Sequence, residues 1–149
     1  MRRVLTIILV AVAALAAASC GKGNHVWAGP DDTLTEALVV VATKTHAEVP
    51  LADLTSWPWD TLLIFHEGAR ASDVEAAVGV PVLRGEFVYD RTLMVFMQSG
   101  APSRAVTTYM GFSFAPTEPL RFTHSARVVP VQRAGGGWDV FLLEPGVKP

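Results

Sequence analysis

The apolar residues of this chain fall into segments with different spacings, and the clearest segment covers residues 61–65. It reads Thr-Leu-Leu-Ile-Phe without a charged side chain, and it lies between Pro58 and Gly68. An unbroken apolar and β-branched run of this length is typical of a strand that is buried on both faces. We therefore predict that residues 61–65 form a strand in the interior of the fold.

Two tryptophans, Trp57 and Trp59, precede this strand and are separated by a single residue. Their rings bring a large apolar area, so packing in the core is better supported than stacking on a ligand. Asp60 follows directly. Its side chain can cap the turn that enters the strand, or it can act as an acid in a site, and capping is the interpretation that we favour.

A first helix is predicted over residues 34–46. Apolar side chains recur at offsets of four and seven from Leu34, which places them on one helical face. Residues 33–36 read Thr-Leu-Thr-Glu, a capping box that marks a helix start. The alternative is a strand through residues 39–41, since three consecutive valines are poor helix formers.

A second, shorter helix is predicted over residues 73–78. The segment Ser-Asp-Val-Glu at 72–75 is another capping box, and Gly79 followed by Pro81 is a stop signal. The inward side chains of this helix are expected to be Val74, Ala77 and Val78.

The remaining pattern indicates strands over residues 86–97, 105–114, 122–133 and 138–143. Ala-Gly-Gly-Gly at 134–137 predicts the turn between the last two. Pro130 has no N–H to donate, so the strand that contains it is expected at an edge. The order of elements predicts an α+β fold, with an antiparallel sheet of about five strands and two helices packed on one face.

Length and charge limit the class of protein. The 149 residues, of which 50% are hydrophobic, suit one globular domain, which we place at residues 33–149. The formal net charge is −2, and it becomes more negative if Arg2 and Arg3 are removed with a leader. A mildly acidic body without a basic cluster argues against nucleic acid as a partner.

The N-terminal residues 1–19 have the layout of a secretory signal. Arg2 and Arg3 are followed by fifteen residues, 4–18, that are apolar or alanine apart from Thr6. As a helix these fifteen residues would reach only about 22 Å, which is short of the roughly 30 Å hydrocarbon core of a bilayer. A cleaved leader is therefore favoured over a permanent transmembrane helix.

Cys20 is the only cysteine in the chain, and the segment Ala-Ala-Ser-Cys at 17–20 resembles the lipobox of bacterial lipoproteins. The resemblance implies that Cys20 is acylated and becomes the mature N-terminus, which would also account for an unpaired thiol in an exported protein. The alternative is ordinary cleavage after Ala18. Lipidation would anchor the protein to the cell membrane or the outer membrane, facing the periplasm or the exterior. Residues 20–32 then form the lipidated N-terminus and a flexible tether.

A second resemblance covers about 25 residues. Thr55, Trp57, Trp59 and Asp60, together with the following strand and the short helix ending at Gly79, resemble a group of small exported or lipidated bacterial proteins of uncharacterised function. In that group the strand runs into Pro-Tyr-Thr, where this chain has His-Glu-Gly at 66–68. The resemblance implies the architecture and an envelope location, and it implies no activity.

The candidate chemistry is sparse. The four histidines, His25, His46, His66 and His124, show no pair at the helical spacing of a metal site, so no metal and no cofactor are predicted. The best-placed polar cluster is Asp60, His66 and Glu67, at the two ends of the predicted strand. These three are more simply exposed residues that end a buried strand, since Asp60 and His66 are about 20 Å apart on a straight strand.

The sequence therefore favours a lipid-anchored cell-envelope protein with a non-catalytic binding or assembly role. Its partner would be an envelope protein or a small ligand, held on the sheet face or in the groove beside the second helix. The alternative is an envelope hydrolase with a dispersed site near the end of the 57–68 segment.

Overall fold

The computed structural model describes residues 25–90, 92–110, 113–114 and 120–149. The predicted signal segment and Cys20 lie outside the described residues, as do Gly111 and Phe112 of the predicted strand 105–114. None of the described helices is long and apolar enough to cross a bilayer.

The described part of the chain forms two α-helices, two other helical turns and nine strands. In chain order these are β1 (Gly29–Pro30), α1 (Asp32–Val40), a π-helical turn (Val41–Thr45), β2 (Val49–Pro50), a 3₁₀ turn (Leu51–Leu54), β3 (Thr61–His66), α2 (Ala71–Val78), β4 (Thr92–Gln98), β5 (Ala101–Thr108), β6 (Ser113–Phe114), β7 (Arg121–Thr123), β8 (Arg127–Gln132) and β9 (Trp138–Leu143).

The strands form two sheets. The larger has the order β1-β5-β4-β3-β7, and the smaller has the order β2-β8-β9-β6. The α+β class and a sheet of about five strands are confirmed, as is the antiparallel pairing of β4 with β5. The second sheet was not predicted, and β1–β5 and β6–β9 are parallel pairs.

The interior of the larger sheet is apolar on both faces because two of its three inner strands, β3 and β4, carry apolar residues at successive positions. In β4, all residues from Thr92 to Met97 are buried. In β3, Leu62 and Ile64 belong to one hydrophobic cluster, and Leu63 and Phe65 pack against another. The strand predicted at residues 61–65 is therefore confirmed, and both of its faces need a cover.

The prediction that both helices lie on one face of the sheet is wrong. Leu34 and Leu38 of α1 pack with Ile64 and with the smaller sheet, whereas Val74 and Val78 of α2 pack with the cluster on the opposite face. The physical reason is the double-sided burial of β3 and β4. Each face has an apolar surface to bury, so α1 with the smaller sheet covers one and α2 covers the other.

Both helices begin earlier than their capping boxes predicted. The N-cap of α1 is Asp31, whose carboxylate accepts a hydrogen bond from the Leu34 N–H at 3.0 Å. The N-cap of α2 is Arg70, and no side-chain hydrogen bond from the described residues caps that helix, so Ser72 lies inside it. Gly79 does end α2 in the left-handed conformation, with φ of 89°, as the stop signal predicted.

The first of the two predicted C-terminal strands is interrupted in the structure. Residues 122–133 do not form one strand, because the chain turns at 124–126 and passes from β7 in the larger sheet to β8 in the smaller one. The strand that contains Pro130 is not an edge strand as predicted, because β8 lies between β2 and β9. Pro130 lies beyond the two residues that β2 pairs, so its missing N–H costs no ladder hydrogen bond on that side. The strand predicted over residues 86–97 begins only at Thr92.

Part of the predicted tether packs on the domain. Gly29 and Pro30 pair with β5, and the Ala28 N–H donates to the Val82 carbonyl at 2.8 Å. Val26 and Ala28 pack against the cluster under α2. The sequence pattern missed this segment because two strand residues are too few to show a period.

Asp31 gives the fold one acid-sensitive contact. Its side chain is 9% exposed and accepts hydrogen bonds from the Leu34 N–H and from Arg104 at 2.7 Å. The Leu34 N–H first, and then Arg104, hold the pKa of this carboxyl below its ordinary value.

We expect Asp31→Asn to lower the free energy of unfolding by under about 1 kcal/mol at neutral pH, because asparagine still caps the helix and only the charge is lost. The folded-state pKa is lowered, so the contribution of the carboxylate is complete above the unfolded pKa of about 3.9 and is lost as the pH falls through the folded value. Denaturant titrations at a series of pH values should show the two proteins converging below about pH 4. A gap that widens on acidification would contradict this account.

Candidate ligand groove beside the second helix

The tryptophan segment before β3 forms one side of the core, as predicted. Trp59 is 4% exposed, and its indole N–H donates to Thr55 Oγ1 at 2.9 Å. The ring of Trp59 packs edge-on against Phe96 with 5.4 Å between centroids, and the half-buried Trp57 packs against the same ring at 5.2 Å. The two indoles therefore fix the entry of the chain into β3.

Asp60 caps a turn, although it is a different turn from the one predicted. Its Oδ2 accepts a hydrogen bond from the Ser99 N–H at 2.6 Å. Ser99 and Gly100 join β4 to β5, and both have positive φ, at 51° and 82°, as a tight two-residue hairpin requires. The carboxylate thus ties the start of β3 to the β4–β5 turn.

The polar cluster predicted at Asp60, His66 and Glu67 is not brought together. Asp60 precedes β3, whereas His66 is its last residue, opposite Thr92, and Glu67 follows at the same end. Asp60 lies beside Ser99 at the other end of the strand. Of the three, Asp60 lines the groove described below.

The four histidines are separated, and three of them pack against three different tryptophans. Ring centroids are 4.2 Å apart for His25 and Trp27, 4.0 Å for His46 and Trp138, and 4.7 Å for His124 and Trp59. The described residues contain no group of three or more histidine, cysteine, aspartate or glutamate side chains that could hold a metal ion.

The groove that Asp60 lines lies between the C-terminal half of α2 and the start of β3. Its volume is about 280 Å³. Its lining combines small residues of α2, apolar residues of the sheet and a few charged or hydroxyl side chains. The lining residues are Asp60, Thr61, Leu63, Ala76, Ala77, Val78, Gly79, Met97, Gly100 and Arg121.

Two opposite charges contribute to this groove. Arg121 begins β7 opposite Leu63, which places its side chain on the face of the sheet that α2 covers. Three ion pairs occur in the described part of the chain, and Arg121 belongs to none of them. Asp60 uses Oδ2 for the turn, and no described donor bonds its other carboxylate oxygen. An arginine can bind a carboxylate or a phosphate, and an aspartate can accept from an amine or a hydroxyl.

Two other hollows are less suited to holding a ligand. One, of about 350 Å³, lies along the β1–β5 edge, but its Arg104 already pairs with Asp31 and lies 5.2 Å from the centre of the Trp57 ring. The other, of about 400 Å³, lies at the start of α2 and is lined by five residues, Arg70, Ala71, Ser72, Glu86 and Phe87.

The sequence predicted a groove beside the second helix but missed most of its lining. Ala77 was expected in the core, whereas it is exposed and lines the groove. Arg121 has no motif around it. Its contribution depends on β7 pairing with β3 across nearly sixty residues of chain, which no local pattern encodes.

Comparisons with known proteins add no family to this description: no protein-family model, no curated protein and no solved structure matches the chain.

Proposed function

We propose that this protein is a lipid-anchored cell-envelope protein that binds a small ligand in the groove between α2 and β3. The observation that carries the binding role is the groove itself, which combines apolar lining residues with the charged side chains of Asp60 and Arg121. Ligand sites of proteins are typically concave and mostly apolar, with a few polar groups that fix orientation. The lipid anchor rests on Cys20 and the leader before it.

The lining favours a class of ligand. At about 280 Å³ the groove is slightly smaller than most ligand sites, which run from roughly 300 to 1,000 Å³, so it would hold a small molecule. Arg121 would bind an anionic group, a carboxylate or a phosphate, and Asp60 would accept from an amine or a hydroxyl. Ala76 and Ala77 are exposed and line the groove, and their methyl groups would contact an apolar portion of the ligand. We therefore propose a small amphipathic molecule with one acidic group.

Filling the groove tests this proposal. We expect Ala76→Trp to abolish retention of the ligand, because an indole at this position occupies the space between α2 and the sheet. The matched control is Glu75→Trp, which places the same side chain on the neighbouring exposed residue of α2, outside the lining. Native mass spectrometry of protein isolated from its own envelope should show an added mass in the wild type and in Glu75→Trp that Ala76→Trp lacks.

The charge of Arg121 gives a second, graded test. Arg121→Gln should weaken ligand retention by at least about tenfold, since a hydrogen bond to a charged group contributes about 1.5–3 kcal/mol. Arg133→Gln is the control, because Arg133 is an exposed arginine that pairs with Asp139 away from the groove. An equal loss in both variants, or no bound mass in any of the proteins, would contradict a ligand site at this position.

The hydrolase alternative receives no support from the geometry of β3. Asp60 and His66 lie at opposite ends of that strand, so they cannot share one substrate atom. The proposal therefore remains a binding role.

A further inference from the structure

A second exposed surface has a different chemistry from the groove, and we call it the aromatic patch. It consists of Trp27, Arg84 and Tyr89. Trp27 is 40% exposed and Tyr89 is 73% exposed, which makes them two of the large apolar side chains that the fold leaves in contact with solvent. Isolated exposed aromatic residues are common, so the question is whether these are joined.

Contacts join the three residues into one surface. The guanidinium carbon of Arg84 lies 5.2 Å from the centre of the Trp27 ring, within the range of a cation–π contact. Gly85 follows Arg84 and lies under Tyr89, since a Cβ at that position would be 3.0 Å from Cε2 of the tyrosine ring. The surface therefore runs continuously from Trp27 over Arg84 and Gly85 to Tyr89.

The side chains of this patch are those that are favoured where a bilayer meets water. Tryptophan and tyrosine have an apolar ring and one polar group, and they are enriched at both interfaces of membrane proteins. Arginine adds a planar cation that binds the phosphate of a lipid headgroup.

The short distance along the chain between Cys20 and Trp27 indicates that a membrane would cover the patch. Only six residues separate Cys20 from Trp27. Even fully extended, that length of chain spans no more than about 25 Å. A domain tethered at this distance meets the bilayer at an effective concentration in the millimolar range, so weak contacts are sufficient to dock it. Trp27 is two residues from His25, the first described residue, so it lies at the end of the described domain nearest to Cys20 along the chain.

We infer that the aromatic patch docks on the lipid–water interface of the membrane to which Cys20 is anchored, with Trp27 and Tyr89 among the headgroups and Arg84 on lipid phosphate. This inference rests on the proposed lipid anchor. Docking by one face would hold the domain in a fixed orientation, and the ligand groove lies on a different part of the surface, lined by none of the patch residues.

Fluorescence quenching of the mature lipidated protein tests the inference. The protein is reconstituted into phosphatidylethanolamine and phosphatidylglycerol vesicles, with or without lipids brominated near the headgroup end of the acyl chain. Trp27 is one of four tryptophans. We expect brominated lipid to quench the share of emission that comes from this one residue, and we expect Trp27→Phe to lose that quenching.

A matched pair of variants shows whether the patch holds Trp27 at the interface. Arg84→Ser combined with Tyr89→Ser should lower the quenching at least twofold, whereas Tyr109→Ser should leave it unchanged. Tyr109 is a suitable control because it is an exposed tyrosine, at 66%, outside the patch. Circular dichroism confirms that each variant is folded.

The outcomes separate this inference from the proposed anchor. Wild-type protein that does not float with the vesicles contradicts the lipid anchor. Protein that floats but shows no quenching by brominated lipid overturns the docking inference and leaves the anchor intact. Equal quenching in the control and the double variant overturns it also, and protection of Trp27 only after an envelope protein extract is added would assign the patch to a protein partner instead.

Discussion

Replacing Trp59 with alanine is expected to lower the free energy of unfolding by about 3–5 kcal/mol. The ring is 4% exposed, packs on Phe96, and its N–H is bonded to Thr55, so the substitution removes a core ring and leaves Thr55 Oγ1 without its donor. A domain of this kind has a total stability of about 5–15 kcal/mol, so the loss is a large fraction of it. Urea denaturation followed by circular dichroism measures the change.

Two controls separate the packing of Trp59 from its hydrogen bond and from tryptophan in general. Trp59→Phe keeps an aromatic ring in the core and is expected to cost much less than alanine at this position. Trp27→Ala removes the same side chain from an exposed position and should change the stability by no more than about 1 kcal/mol. If Trp59→Ala and Trp27→Ala were equally mild, the role of Trp59 in anchoring β3 would be wrong.

Replacing Cys20 with serine is expected to move nearly all of the protein out of the membrane fraction. Serine has no thiol to acylate, so the chain should accumulate as a soluble or unprocessed form. The wild type should resist extraction by high salt, because a diacylglyceryl group and an N-acyl chain together anchor stably, whereas one chain binds only marginally. Fractionation and labelling with a palmitate analogue measure the two effects.

The matched control for Cys20→Ser is Ser19→Ala, which keeps a small residue before the cysteine and keeps the thiol. This variant should be labelled and retained like the wild type. Equal labelling of Cys20→Ser and wild type, or release of the wild type by salt alone, would contradict acylation at Cys20.

The local parts of the fold could be predicted because they depend on short segments. The strand at 61–65 was defined by its apolar run, the end of α2 by Gly79, and the β8–β9 turn by its glycines. The placement of the two helices could not be predicted in the same way. Burial on both faces of β3 and β4 is visible in the sequence, but which helix covers which face depends on the path of the connecting segments.

The capping boxes failed for a physical reason that the structure makes plain. At α1 a better acceptor, Asp31, lies two residues before Thr33, and its charge is also paired with Arg104 from β5. At α2 the segment before the helix is held by backbone bonds instead: the Ala71 N–H donates to Glu86, and Arg70 forms a bridge with Phe87. Tertiary contacts, and not the capping boxes, therefore determine where the two helices begin.

The candidate site was predictable in part. The groove beside the second helix follows from a short helix with small residues laid on a sheet, and the sequence indicated it. Of the polar residues singled out from the sequence, His66 and Glu67 lie at the far end of β3, whereas the charges that line the groove come from Asp60 before β3 and Arg121 on β7. Two strands that are far apart in the sequence can pair in a sheet, so a local sequence pattern does not reveal that Arg121 lies opposite Leu63.

The central claim is that a lipid on Cys20 anchors a ligand-binding domain to the envelope, and the most direct test of the anchor is the mass of the mature N-terminal peptide. Protein extracted from membranes with detergent is digested, and that peptide is analysed by mass spectrometry. The account predicts a peptide that begins at Cys20 and carries a diacylglyceryl group on Sγ. A peptide that begins at Ser19 with a free thiol on Cys20, as cleavage after Ala18 would produce, contradicts it.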